Sequence, residues 1–94
     1  MDEVRVRRAI YRARYRGFRE ADMLIGPFAE KCCPGMSDEE MDQFEVLLQI
    51  PDHDLYGWII ERDPVPPEHD VQVLHQMQTF RLTLAQDRGT DLGA

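Results

Sequence analysis

The sequence predicts an all-α fold: a compact five-helix bundle in a single domain. Three observations carry this. Apolar residues recur at spacings of about three and four and show no sustained period-two alternation. The breaks between periodic stretches are short and rich in Pro, Gly and Asp: "RG" at 16–17, "CCPG" at 32–35, "PD" at 51–52 and "DPVPPEHD" at 63–70. Ninety-four residues with 43% hydrophobic content are enough for one buried core and too few for two. Residues 1–88 are assigned to the domain and 89–94, ending in "DLGA", to a flexible tail.

The first helix is predicted over about Glu3 to Tyr15, with Val6, Ile10, Ala13 and Gly17 on a narrow packing side of mostly small residues. If it continued, Arg5, Arg8, Arg12, Arg16 and Arg19 would form a basic edge beside that side. A second helix runs from about Phe18 to Lys31 with Leu24 and Phe28 inward. Pro27 predicts a kink, or a restart with Pro27 in a first turn. Ser37 and Glu40 have capping-box spacing, and Met41, Phe44, Leu47 and Leu48 follow as a buried stripe of helix three, which Pro51 ends. Asp52 is the predicted cap of helix four, with Asp54 in its first turn and Leu55, Trp58 and Ile59 inward. After a stiff connector, helix five is predicted from about Glu68 to Gln86 on Val71, Leu74, Met77 and Leu84.

Charge is segregated. Residues 1–20 hold seven arginines against three acids, a net +4, whereas residues 21–94 hold four cations against fifteen acids, a net −11. Either the basic element meets an external acidic partner, or it lies against the acidic helices as internal complementation. Apolar runs such as "VLL" at 46–48 are far shorter than the roughly 20 residues that span a bilayer. The N-terminus lacks a signal core, and Asp2 and Glu3 do not suit a transit peptide, so a cytoplasmic protein is expected. Neighbouring Cys32 and Cys33 are too close for an unstrained disulfide, which predicts reduced thiols.

Catalytic chemistry finds no support: no catalytic residue and no metal ligand is assigned. The single serine, Ser37, is better used as a cap, and Lys31 suits a helix end. Cys32 and Cys33 have no histidine base nearby in sequence. His53, His69 and His75 lack metal-site spacing and read as surface histidines. No glycine-rich phosphate loop occurs, so no stably bound cofactor is expected. A nucleic-acid-binding regulator using the arginine-rich first helix, with Tyr11 and Tyr15, is the alternative from another class. The acidic remainder opposes it and no recognition motif is legible. A membrane-surface role lacks bulky apolar residues opposite the arginines.

The stretch "YRGFREAD" at 15–22 is the unresolved feature. Glycine in an exposed helix interior costs roughly 1 kcal/mol against alanine. An i,i+4 pair of Arg16 and Glu20 returns only a few tenths. Two readings remain. Gly17 simply separates two helices, or it is a docking point where a partner's backbone comes close, with Arg16 offering a forked donor and Glu20 an acceptor.

These residues carry a resemblance. R-G-x-x-E (Arg16, Gly17, Glu20), followed by Asp22 and Pro27-Phe28, together with "SDEE" at 37–40, Leu47-Leu48 and the D-x-D-L-x-x-W pattern of Asp52, Asp54, Leu55 and Trp58, resembles the succinate dehydrogenase flavinylation factors over about Arg8 to Gln78. The resemblance implies a small five-helix assembly factor, not an enzyme. Its client would be the flavoprotein subunit of succinate dehydrogenase, with that of fumarate reductase as a further candidate. It would promote covalent attachment of FAD to a client histidine, the FAD belonging to the client. That attachment needs loss of a flavin methyl proton and a rigid, closed site, which a binding factor can stabilise without donating a catalytic group. Carried over, Arg16, Gly17 and Glu20 would lie in the client interface, with Tyr15, Arg19 and Asp22 as extensions, and Leu55 and Trp58 would hold the bundle. A monomeric free state is expected, without nucleic acid or membrane insertion. Gly57, placed on the exposed side of helix four, departs from good helix chemistry, and the cysteine pair and polar tail have no assignable family role.

Overall fold

The computed structural model describes residues 3–17 and 19–93, with side chains to residue 84. It holds five α-helices and, among the described residues, no strand: α1 Glu3–Arg14, α2 Arg19–Cys32, α3 Asp38–Leu47, α4 Asp52–Ile59 and α5 Gln72–Gly93. Short 3-10 turns at Cys33–Gly35 and Pro67–His69 fill two of the connections. No described helix is long and apolar enough to cross a membrane.

α2 is the central element, lying against α1, α4 and α5. Its contact with α1 is close because the facing residues are small: Ala9 and Ala13 from α1 meet a helix whose buried positions include Ala21, Gly26 and Ala29. A methyl group on Gly26 would sit 3.2 Å from Arg14 Cγ and 3.5 Å from its Cα, so glycine sets the helix separation there. α2 passes through Pro27 as one helix, without the restart considered from the sequence. Pro27 is exposed, and its missing donor affects only the outer side of the helix.

The predicted core is largely observed. Leu24, Phe28, Met41, Phe44, Leu47, Leu48, Leu55, Trp58, Ile59, Leu74 and Met77 are buried, while Ile10, Val71 and Leu84 pack at its margin. Phe28 is the aromatic hub, with ring centroids 5.7 Å from Phe44 and 5.6 Å from Phe80, the latter edge-on. Gly17 does not join the packing side of α1, because the helix ends at Arg14 and Gly17 is exposed.

Helix ends explain the remaining differences. The Ser37–Glu40 capping box forms as expected, with Glu40 N–H donating to Ser37 Oγ at 3.1 Å and Ser37 N–H to Glu40 Oε1 at 2.9 Å. Asp52, however, does not cap α4. Pro51 occupies the cap position without a side-chain bond, and the Asp52 carboxylate is used elsewhere. α4 closes in a Schellman motif: Arg62 N–H donates to Gly57 O (2.9 Å), Glu61 N–H donates to Trp58 O (3.2 Å), and Glu61 takes the left-handed conformation at φ 62°. Gly57 is therefore buried under this turn, contrary to the expected exposed position. A methyl group there would lie 2.3 Å from Asp63 Oδ2 and 2.5 Å from Arg62 Nη2. α5 begins at Gln72, after the 3-10 turn that holds Glu68. Gln43 of α3 accepts one of its unpaired first-turn donors, Val73 N–H, at 3.1 Å. The backbone is helical to Gly93; the side chains of the proposed tail lie outside the described residues.

Internal complementation of charge is observed. Arg5 forks onto Glu45 (2.8 and 2.9 Å) and also reaches Asp42, fastening α1 to α3, and Arg14 meets Glu30 at 3.1 Å. The Arg5 hydrogen bonds hold the Glu45 carboxyl below its ordinary value. A depressed carboxylate contributes stability that is complete above its unfolded value and is lost as pH falls through the folded one. Arg5→Ala should therefore flatten the acid limb of the stability profile, read from urea unfolding between neutral pH and pH 3. Separately, Glu61→Gly should raise stability by about 1 kcal/mol by removing the left-handed strain of a non-glycine residue, measured as an increase in Tm.

Candidate docking site

The elbow between α1 and α2 is where the sequence-predicted residues meet. Because α1 stops at Arg14, Arg16 and Glu20 do not share a helix. Arg16 and Gly17 lie in the bend, and Glu20 is in the first turn of α2 with Asp22, where carboxylates suit the helix dipole. Gly17 adopts φ +92°, a conformation that L side chains rarely take, and among the described residues, its chain neighbours aside, no atom lies within 4 Å of where a side chain would begin. The glycine is thus required by the backbone and open to its surroundings. The two sequence readings of Gly17, separator and approach point, are geometrically compatible.

Arg16 corrects the sequence expectation. Its side chain is 6% exposed and points into the molecule. Nε donates to Asp52 Oδ1 at 2.6 Å, Nη1 to Leu48 O at 2.8 Å and Nη2 to Ile50 O at 2.5 Å. The guanidinium thereby satisfies carbonyls left unpaired where α3 ends and meets a carboxylate where α4 begins, the charge placement that both helix dipoles favour. The physical reason is the break at the bend. On a continuous helix Arg16 would extend the exposed arginine edge, whereas the turn redirects it toward the α3–α4 corner. The Arg16 backbone N–H donates to Asp22 Oδ1 at 2.8 Å, so Asp22 closes the bend from the other side.

Outside this frame lies an open groove of about 520 Å³, lined by Arg14, Gly17, Arg19, Asp22, Met23, Gly26, Pro27 and Glu30. Arg19, Asp22 and Gly17 from the predicted set therefore border one concavity. Glu20 is exposed beside it, and Tyr15 is 64% exposed and pairs with Tyr11 at 4.7 Å between ring centroids. Met23, Pro27 and Glu30 were missed by sequence reasoning, yet their spacing from Arg19 by four, eight and eleven places them on one helical face. That signal was readable. Asp52 as the partner of Arg16 was not, since 36 residues separate them.

Other candidates for chemistry are quiet. Cys33 is fully buried and its thiol is pushed up to about 12, chiefly by burial; Cys32 is also raised by burial, partly offset by Lys31. Both are free thiols in an environment that disfavours the thiolate nucleophile. His69 is not a free surface histidine, since it stacks on Trp58 at 5.2 Å, and no group of three or more potential metal ligands occurs among the described residues.

Comparison with known proteins places these features in context. The family model described as flavinator of succinate dehydrogenase matches residues 7–81. The mitochondrial succinate dehydrogenase assembly factor 2 of Mycosarcoma maydis is 41% identical over 64 residues, 68% of this chain and 27% of that protein. The corresponding Dictyostelium discoideum protein is 32% identical over 72 residues, 77% of this chain and 51% of that one. The FAD assembly factor SdhE of Acetobacter pasteurianus is 40% identical over 73 residues, 78% and 67% of the two chains. The chain thus spans about a quarter to a half of the length of these mitochondrial relatives.

Arg16→Ala should destabilise the fold by about 3 kcal/mol, since it strands the Asp52 carboxylate and two carbonyls; denaturant unfolding measures this. Thiol reagents at pH 8 should label Cys32 before Cys33, with Cys33 reacting only as the protein opens, as read by mass spectrometry.

Proposed function

The chain belongs to the family of flavinators of succinate dehydrogenase, and from that membership we propose that it binds the flavoprotein subunit of succinate dehydrogenase and promotes covalent attachment of FAD to it. The flavoprotein subunit of fumarate reductase is a second client in the same reading. The observation that carries the proposal is Gly17, exposed at the mouth of a groove, with open space above it and a bend anchored on both sides beneath it. A client backbone can approach such a point without displacing anything, and a pre-formed surface loses little entropy on binding.

In this reading Gly17 is the closest-approach point. Tyr15 supplies exposed aromatic surface, and Arg19, Glu20 and Asp22 supply charges of both signs around it. Arg16 enters the interface through its backbone and supports it from behind. The factor acts by favouring the client conformation in which the histidine and the flavin ring are correctly placed, a shift that needs only tighter binding to that conformation than to others. The flavin stays with the client: the groove sets Arg14 and Arg19 against Asp22 and Glu30, a mixed lining poorly suited to a diphosphate. The nucleic-acid reading is weaker, because Arg5, Arg14 and Arg16 are each engaged by acidic side chains of the same chain.

Gly17→Asn is the selective test. Asparagine tolerates positive φ better than most residues, so the fold should be retained within about 1 kcal/mol while the added side chain blocks close approach. Binding to the purified flavoprotein subunit, and covalent flavin on it by in-gel fluorescence, should both fall sharply. Undiminished flavinylation in a cell lacking this protein would sink the proposal.

A further inference from the structure

We propose that Asp52 is a positioning residue of the docking site: by holding the Arg16 guanidinium at the α3–α4 corner, it sets where the bend presents Gly17. This rests on the reading of the bend as the client-docking point. Asp52 lies on α4, is not among the residues lining the groove, and, among the described residues, is hydrogen-bonded to the bend through Arg16.

The bend consists of a few residues between two helices, so its freedom is limited by what grips it. Two grips are present, and both act on Arg16. Asp22 Oδ1 accepts the Arg16 backbone N–H at 2.8 Å and ties the bend to α2. The Arg16 side chain reaches the opposite way, with three donors on three acceptors that belong to the end of α3 and the start of α4. A planar guanidinium with three fixed partners has one orientation, and its stem then limits how far the Arg16 Cα can move. Gly17 is the next residue, and among the described residues, its chain neighbours aside, none comes within 4 Å of its side-chain position to hold it.

Of the three acceptors, only Asp52 is charged. It faces Nε, its side chain is 27% exposed, and it supplies the countercharge for an arginine side chain that is 6% exposed. Leu48 and Ile50 offer neutral carbonyls, which orient the guanidinium without balancing it. Removing the carboxylate charge leaves a buried cation with an incentive to regain water, and the route to water is outward through the bend. The bend would then sample several heights above the groove. A contact that requires close backbone approach is sensitive to displacements of about 1 Å.

Asp52→Asn keeps the shape and one acceptor while removing the charge, so the chain should still fold. In the full-length protein, helical content by circular dichroism should be unchanged. Amide hydrogen exchange at Arg16, whose N–H is bonded to Asp22 Oδ1, should accelerate by about tenfold while α3 and α5 keep their protection. Affinity for the purified succinate dehydrogenase flavoprotein subunit should fall by about tenfold. Because Asp52 acts through the Arg16 charge, adding Asp52→Asn to Arg16→Gln, which removes that charge, should weaken binding by less than about twofold beyond Arg16→Gln alone. Wild-type affinity in Asp52→Asn, multiplicative losses in the double variant, or exchange accelerated uniformly along the chain would each overturn the proposal. If the wild-type protein does not bind the subunit, the functional reading falls and takes this inference with it. If the wild type binds, Gly17→Asn does not and Asp52→Asn binds fully, the reading stands and the positioning role alone is rejected.

Discussion

The Arg16 guanidinium ties the α1–α2 bend to the corner between α3 and α4. Its three donors meet the end of α3 and the start of α4, while its backbone meets Asp22 on α2. A buried arginine is tolerable only when each of its polar atoms is partnered and its charge is countered, and both conditions hold here. The α1–α2 bend, the α3–α4 corner and the frame around Gly17 therefore form one arrangement. Apolar burial around Phe28, Phe44 and Phe80 holds the helices together, but it does not specify how the bend is presented.

The packing of α1 on α2 follows a similar economy of space. Ala9, Ala13, Ala21, Gly26 and Ala29 let the helices approach closely, and Gly26 has Arg14 directly over it. A close crossing brings the end of α1 and the start of α2 together within a short bend. It also leaves their outer faces to form the sides of a shallow groove. Small residues inside and a groove outside are two consequences of one helix separation.

Charge segregation acquired a structural meaning as well. The basic first element is partly neutralised by acids from α2, α3 and α4, with Arg14 on Glu30, Arg5 on Glu45 and Asp42, and Arg16 on Asp52. The exposed Arg14–Glu30 pair contributes modestly to stability, whereas Arg5–Glu45 and Arg16–Asp52 are part-buried. Their shared effect is to orient α1 over an acidic body.

Helical periodicity, the Ser37 capping box and the stripes of Met41, Phe44 and Leu47 and of Leu55, Trp58 and Ile59 were legible in the sequence, because caps and amphipathic faces are local and repeat at 3.6 residues. So was the helix break at Gly17. Only the tertiary structure decided that Arg16 turns inward, that Asp52 pairs with it instead of capping α4, and that Gly57 is covered by the turn that follows it. Local pattern cannot settle these, since each depends on a chain reversal that brings distant or out-of-register groups into contact. The direction of a side chain such as Arg16, next to a positive-φ glycine, is set by where the rest of the fold offers a partner. The sequence thus determined where the chain bends, while long-range hydrogen bonding decided that Arg16 is held inside and Gly17 is left exposed.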